Sequence, residues 1–87
     1  MDFSALRETS IQILSRFLNT EVDLGITFAG MAKHYLEAGN SERYEISRRN
    51  ALAALGAIDR FKDQLSPDLR IQIEMPRSEL VAAISPL

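Results

Sequence analysis

The sequence predicts an all-α fold, a small antiparallel bundle built on a long central helical hairpin. Apolar residues recur at steps of three, four and seven through most of the 87 residues. A Gly39-Asn40 pair separates two such stretches, glycine being the usual left-handed residue after a helix end. Gly25, Ala29 and Ala32 on one stretch, and Ala51 and Ala54 on the next, are spaced so that two helix backbones can come close. One domain spanning 1–87 is expected, with helices over about 4–18, 21–38 and 42–65 and a shorter helical tail over 67–84.

The first segment places Phe3, Leu6, Ile13, Leu14, Phe17 and Leu18 at helical spacing, with Ser4 as its cap and Asp2 on the favourable side of the helix dipole. Asn19-Thr20 is expected to break it. Thr20, with Asp23 three residues on, resembles a capping box and starts the second segment. That segment carries Leu24, Phe28, Met31, Ala32, Tyr35 and Leu36 along one side. Gly25 and Gly30 each cost about 1 kcal/mol against alanine in a helix interior, which a close helix approach would explain.

Ser41 is expected to cap the third segment, with Glu42 and Glu45 in its first turns. Its core line is Ala51, Ala54, Leu55, Ile58, Phe61 and Leu65, and Glu45 and Arg49 pair four apart on its surface. The third segment is the longest, roughly 36 Å against roughly 27 Å for the second, so it should overhang its partner. The tail is ambiguous. Ser66-Pro67-Asp68 starts a helix well, yet Leu69, Ile71, Ile73 and Met75 alternate with polar residues at the strand period. Pro76 is expected to interrupt. Helix is favoured for 67–75, because a lone strand has nothing here to pair with unless a second copy of the chain supplies its partner.

Composition excludes several classes of function. With no cysteine, a disulfide scaffold, a cysteine zinc site and a thiolate nucleophile are ruled out. A formal net charge of −2 argues against a general nucleic-acid binder, so no nucleic-acid partner is expected. No uninterrupted apolar stretch approaches membrane-spanning length, and the charged opening residues do not resemble a secretory signal. A cytoplasmic protein without a membrane partner is the expectation. No glycine-rich phosphate loop or nucleophile elbow is present, and no cofactor is expected.

Phe28, Met31-Ala32 and Tyr35, followed by Gly39 and by Ala51 on the next helix, resemble the tetratricopeptide repeat over about 24–57. The resemblance implies an antiparallel hairpin packed through small residues. It brings no peptide-binding site, because such sites need several stacked repeats.

Four clusters could carry chemistry. His34 and Glu37 share a helix face and could ligate a metal or share a proton, although the di-metal bundles run Glu-x-x-His and use further carboxylates. The plainer reading is a surface histidine beside an acid. Arg43, Arg48 and Arg49 could hold phosphate, an acidic partner or nucleic acid, but Glu42 and Glu45 interleave with them and favour a solvated face. Asp59 and Asp63 could act as an acid/base pair only if burial raised one pKa. Tyr35, Tyr44, Phe28 and Phe61 could form a stacking platform, though aromatics at this spacing are usually core.

The function expected from the sequence is therefore a non-enzymatic helical module for protein contact or self-association, its partner a second copy of the chain. Leu52, Ala53, Arg43, Arg48, Arg49 and Tyr44 are its candidate surface, because apolar residues occupy two sides of the third helix and a bundle this small covers only one. The alternative is a small metal or acid/base protein centred on His34 and Glu37.

Overall fold

The computed structural model describes residues 3–87, with side chains from Ser4 onward. Asp2 and the Phe3 side chain, both named above, lie outside the described residues. The described residues form three helices: α1 (Phe3–Glu37), α2 (Ser41–Phe61) and α3 (Pro67–Ile84), with a 3-10 turn over Lys62–Gln64 between the last two. The fold is all-α, as the periodicity predicts. α1 and α2 form an antiparallel hairpin through the most extensive interface in the molecule, and α3 packs against both.

The expected break at Asn19-Thr20 does not occur: the first two segments are one helix of 35 residues. Leu14, Leu18, Val22, Gly25, Ala29 and Ala32 keep one helical phase across that point, and Leu18 and Val22 are buried at 0% and 3% exposure. Burial on both sides outweighs the few tenths of a kcal/mol by which Asn and Thr disfavour helix. Their polar groups also find partners along the helix, as Asn19 Nδ2 donates to the Ser15 carbonyl at 2.9 Å. Ser4 lies inside the first turn of α1, which already includes Phe3, and not ahead of it as the expected cap position requires. α1, not the third predicted helix, is the longest element, and it is α1 that overhangs.

α1 stops through a Schellman arrangement. Gly39 adopts φ 75°, its N–H donates to the Leu36 carbonyl at 3.2 Å, and the Asn40 N–H reaches the Tyr35 carbonyl at 2.9 Å. Asn40 then caps α2 itself, its Oδ1 accepting from the Arg43 N–H at 3.2 Å. The cap is therefore Asn40 and not Ser41, so one residue closes one helix and opens the next.

The hairpin is packed in two ways along its length. Near the turn, Gly25, Ala29 and Ala32 of α1 meet Ser47, Ala51 and Ala54 of α2, all buried. Away from the turn, Leu18, Val22, Ile58, Leu65, Ile73 and Leu80 form the core, flanked by Leu14, Leu55, Phe61, Leu69 and Ile84. Leu24, Met31 and Leu36, expected on the inward side, are instead 44%, 39% and 50% exposed.

At Gly25 an added Cβ would stand 2.8 Å from both Leu80 methyls and 3.1 Å from the Ala54 Cβ. Gly30 has nothing within 4 Å, which corrects the expectation of a close approach there, and Gly56 is equally open. Gly30→Ala and Gly56→Ala should each stabilise the protein by about 1 kcal/mol through helix propensity. Gly25→Ala should lower stability despite the same gain, because the methyls of a fully buried Leu80 must move. Urea midpoints of the three variants check this contrast of sign.

α3 is helical throughout, which settles the strand question for 69–75. Ser66 caps it, and Pro76 lies within it without ending it. The alternation has a simple origin. Leu69, Ile73 and Leu80 face the core, while Ile71 and Met75, each 72% exposed, form a second apolar line on the opposite side. The interior proline forfeits one backbone hydrogen bond, and the burial of Ile73 and Leu80 on either side of it holds the helix.

Candidate functional site

The six residues singled out by the sequence do not form one patch. Residues advance about 100° each around a helix, so the partners of Tyr44 and Asp59 locate α3 on the wheel of α2. The Tyr44 hydroxyl donates to the Leu87 backbone oxygen, and Asp59 pairs with Arg77. Tyr44, Arg48 and Leu52 therefore lie on the flank of α2 beside α3. Ala53 and Arg49 lie on the opposite flank. Arg43 stands at the hairpin turn, its guanidinium 5.7 Å from the centre of the Tyr35 ring and its Nη1 3.4 Å from the Tyr35 hydroxyl.

His34 and Glu37 are both exposed in the last turn of α1. The imidazole packs edge-on to Tyr35, with ring centroids 5.5 Å apart. No group of three or more His, Cys, Asp or Glu side chains comes together among the described residues. Phe28, Tyr35, Tyr44 and Phe61 are all half-buried, and of them Tyr35 and Tyr44 border one depression at the hairpin turn with Leu36, Gly39, Ser41 and Glu45.

Asp59 and Asp63 are not a pair. Asp59 Oδ1 and Oδ2 accept from Arg77 Nε at 2.6 Å and Nη2 at 3.1 Å, and Lys62 Nζ stands 3.7 Å away. Asp63 lies in the 3-10 turn, where its carbonyl accepts from Arg70. The Arg77 hydrogen bonds hold the Asp59 carboxyl below its ordinary value of 3.8, against a smaller opposing effect of burial. A lowered carboxyl pKa adds stability that is present above 3.8 and is lost as pH falls through the folded value. The Asp59 side chain is 40% exposed, so the contribution should stay under about 1 kcal/mol. Thermal unfolding from pH 5 to pH 2.5 should show wild type losing slightly more stability than Asp59→Asn, which lacks this titration.

What the side chains build most clearly is an apolar face. On α1, Leu6, Ile13, Phe17, Leu24 and Met31 are 53%, 60%, 44%, 44% and 39% exposed. They run along the side of α1 turned away from Glu8, Ile11 and Gln12, the residues that border the start of α3. Ile46, 50% exposed, and Ala53 continue the face on α2, on the flank opposite Tyr44 and Asp59. α3 thus covers one side of the hairpin and leaves the other apolar and open. The sequence marked Ala53 of this face. The α1 stripe is not legible there, because its residues read as the inward faces of two separate helices.

No helix among the described residues is long and apolar enough to cross a membrane. Comparison of the chain with protein-family models, with curated proteins and with solved structures finds no match in any of the three.

Proposed function

We propose that this chain is a non-enzymatic helical module that works through protein contacts, and that its partner is a second copy of itself. The observation that carries the reading is the open apolar face of α1 and α2. Scattered apolar residues on a surface are ordinary, but a contiguous stripe marks an interaction surface.

Shape and area support it. The molecule measures 57 × 20 × 15 Å, and its radius of gyration is 15.3 Å, against about 12 Å for a compact domain of this length. It exposes 5972 Å². A folded monomer of 9.8 kDa exposes about 5,200 Å² by the usual scaling. The excess, about 800 Å², matches what each partner contributes to a standard interface.

Sedimentation equilibrium across micromolar to millimolar chain concentrations tests the reading. Two chains per particle at the upper end are expected. A single chain per particle throughout that range would overturn it.

A further inference from the structure

We propose, as a step resting on that self-association, that two copies pair antiparallel along α1, with the twofold axis beside Leu18-Asn19. The outward positions of α1 are Leu6, Ser10, Ile13, Phe17, Thr20, Leu24, Thr27 and Met31. They alternate steps of four and three, the heptad seam of a coiled coil, over about 38 Å. Each of the eight residues of this seam is exposed in the protomer.

The seam complements itself when reversed. About that axis Leu6 meets the partner's Met31 and Ile13 meets the partner's Leu24, apolar against apolar. Ser10 meets the partner's Thr27, hydroxyl against hydroxyl, and Phe17 meets the partner's Thr20 on either side of the centre. The flanking charges agree, because Arg16 then faces the partner's Asp23, twice by symmetry. Both residues are exposed, and neither makes an ion pair within the protomer among the described residues. Sliding the pairing by one heptad toward the N-termini would set Arg16 against the partner's Arg16 and leave Met31 unpaired. That register is disfavoured by charge as well as by length.

The shape of the fold selects antiparallel over parallel. α2 runs back along the C-terminal half of α1 only, and Ser4–Ser10 are all exposed. Antiparallel pairing lays the exposed first turns of each α1 along the partner's hairpin. Each end of the dimer then has four helices in cross-section: α1, α2 and α3 of one chain and the start of α1 from the other. Parallel pairing would leave the two sets of exposed first turns together at one end. A shallow depression lined by Leu6, Arg7, Ser10 and Ile11 on α1 lies opposite the partner's Phe28 in the antiparallel register. The small Ser10 side chain leaves room there for the ring.

The chain has no cysteine, so single-cysteine variants can be spin-labelled cleanly. Ala5→Cys and Lys33→Cys place labels at exposed positions of α1. In a mixed sample, antiparallel pairing brings the Ala5 label beside the partner's Lys33 label, about one helix diameter away, and holds two Ala5 labels about 40 Å apart. Parallel pairing exchanges the two distances. Double electron–electron resonance showing short mixed and long Ala5–Ala5 separations is the expected result. A dimer with the reverse distances would overturn the antiparallel arrangement and leave self-association standing, whereas a monomer throughout would overturn both.

A charge swap tests the register separately. Arg16→Glu and Asp23→Arg should each weaken dimerisation roughly three- to tenfold, and the double variant should recover wild-type affinity. If the double variant is no tighter than the singles, the register is wrong.

Discussion

Leu80→Ala should lower stability by about 3 kcal/mol, the largest loss expected from a single truncation in this chain. Leu80 is at 0% exposure, and its methyls lie against Gly25 in the groove where α1, α2 and α3 converge. Truncating a buried leucine removes its transfer free energy and leaves a cavity, together worth about 2–5 kcal/mol. For a chain of this size each kcal/mol shifts the melting temperature by about 4–8 °C, so a fall of about 12–24 °C is expected. The contact with Gly25 supplies a sharper check. Gly25→Ala should destabilise wild type, where the new methyl collides with Leu80, and should stabilise Leu80→Ala, where it fills part of the vacated space. A double-mutant cycle by urea unfolding reads that change of sign as a coupling of about 1–3 kcal/mol. If Gly25→Ala has the same effect in both backgrounds, Leu80 does not occupy the groove above Gly25.

The small-residue seam was legible in the sequence because its signal is chemical as well as periodic. Gly25, Ala29 and Ala32 could face only a close neighbour, and Ala51 and Ala54 meet them. The Gly39-Asn40 turn was equally clear, since a positive φ restricts the residue type. The course of α1 was not. Asn19-Thr20 reads as punctuation locally, and only the tertiary burial of Leu18 and Val22 decides that the helix continues. That one error hid the exposed apolar face. With α1 cut in two, Ile13, Phe17 and Leu24 look like core residues of two short helices. With α1 whole, the core stripe runs through Leu18, Val22, Gly25, Ala29 and Ala32, and those three residues fall on a second stripe. The tail was ambiguous for a related reason, because apolar residues on both faces of a helix imitate the strand period through Ile71, Ile73 and Met75, yet the helix favoured there is what forms.

Two apolar stripes on one helix make different demands, and Leu24→Glu separates them. Leu24 is 44% exposed in the protomer and glutamate forms helix about as well as leucine, so the folded monomer should lose no more than about 0.5 kcal/mol. In the proposed dimer the same change buries a carboxylate without a partner at two symmetric places. Stranding such charges costs several kcal/mol, which should raise the dimer dissociation constant more than a hundredfold. Because association stabilises only the folded chain, the wild-type melting temperature should rise with protein concentration. The Leu24→Glu melting temperature should not, and at high dilution the two proteins should melt together. Leu52→Glu is the informative control. Leu52 is 38% exposed, comparable with Leu24, but lies on the flank of α2 beside α3. It should keep the wild-type concentration dependence. Were Leu52→Glu to abolish that dependence and Leu24→Glu to preserve it, the contact surface would lie on the α3 side of the hairpin, and the α1 stripe would be solvated surface.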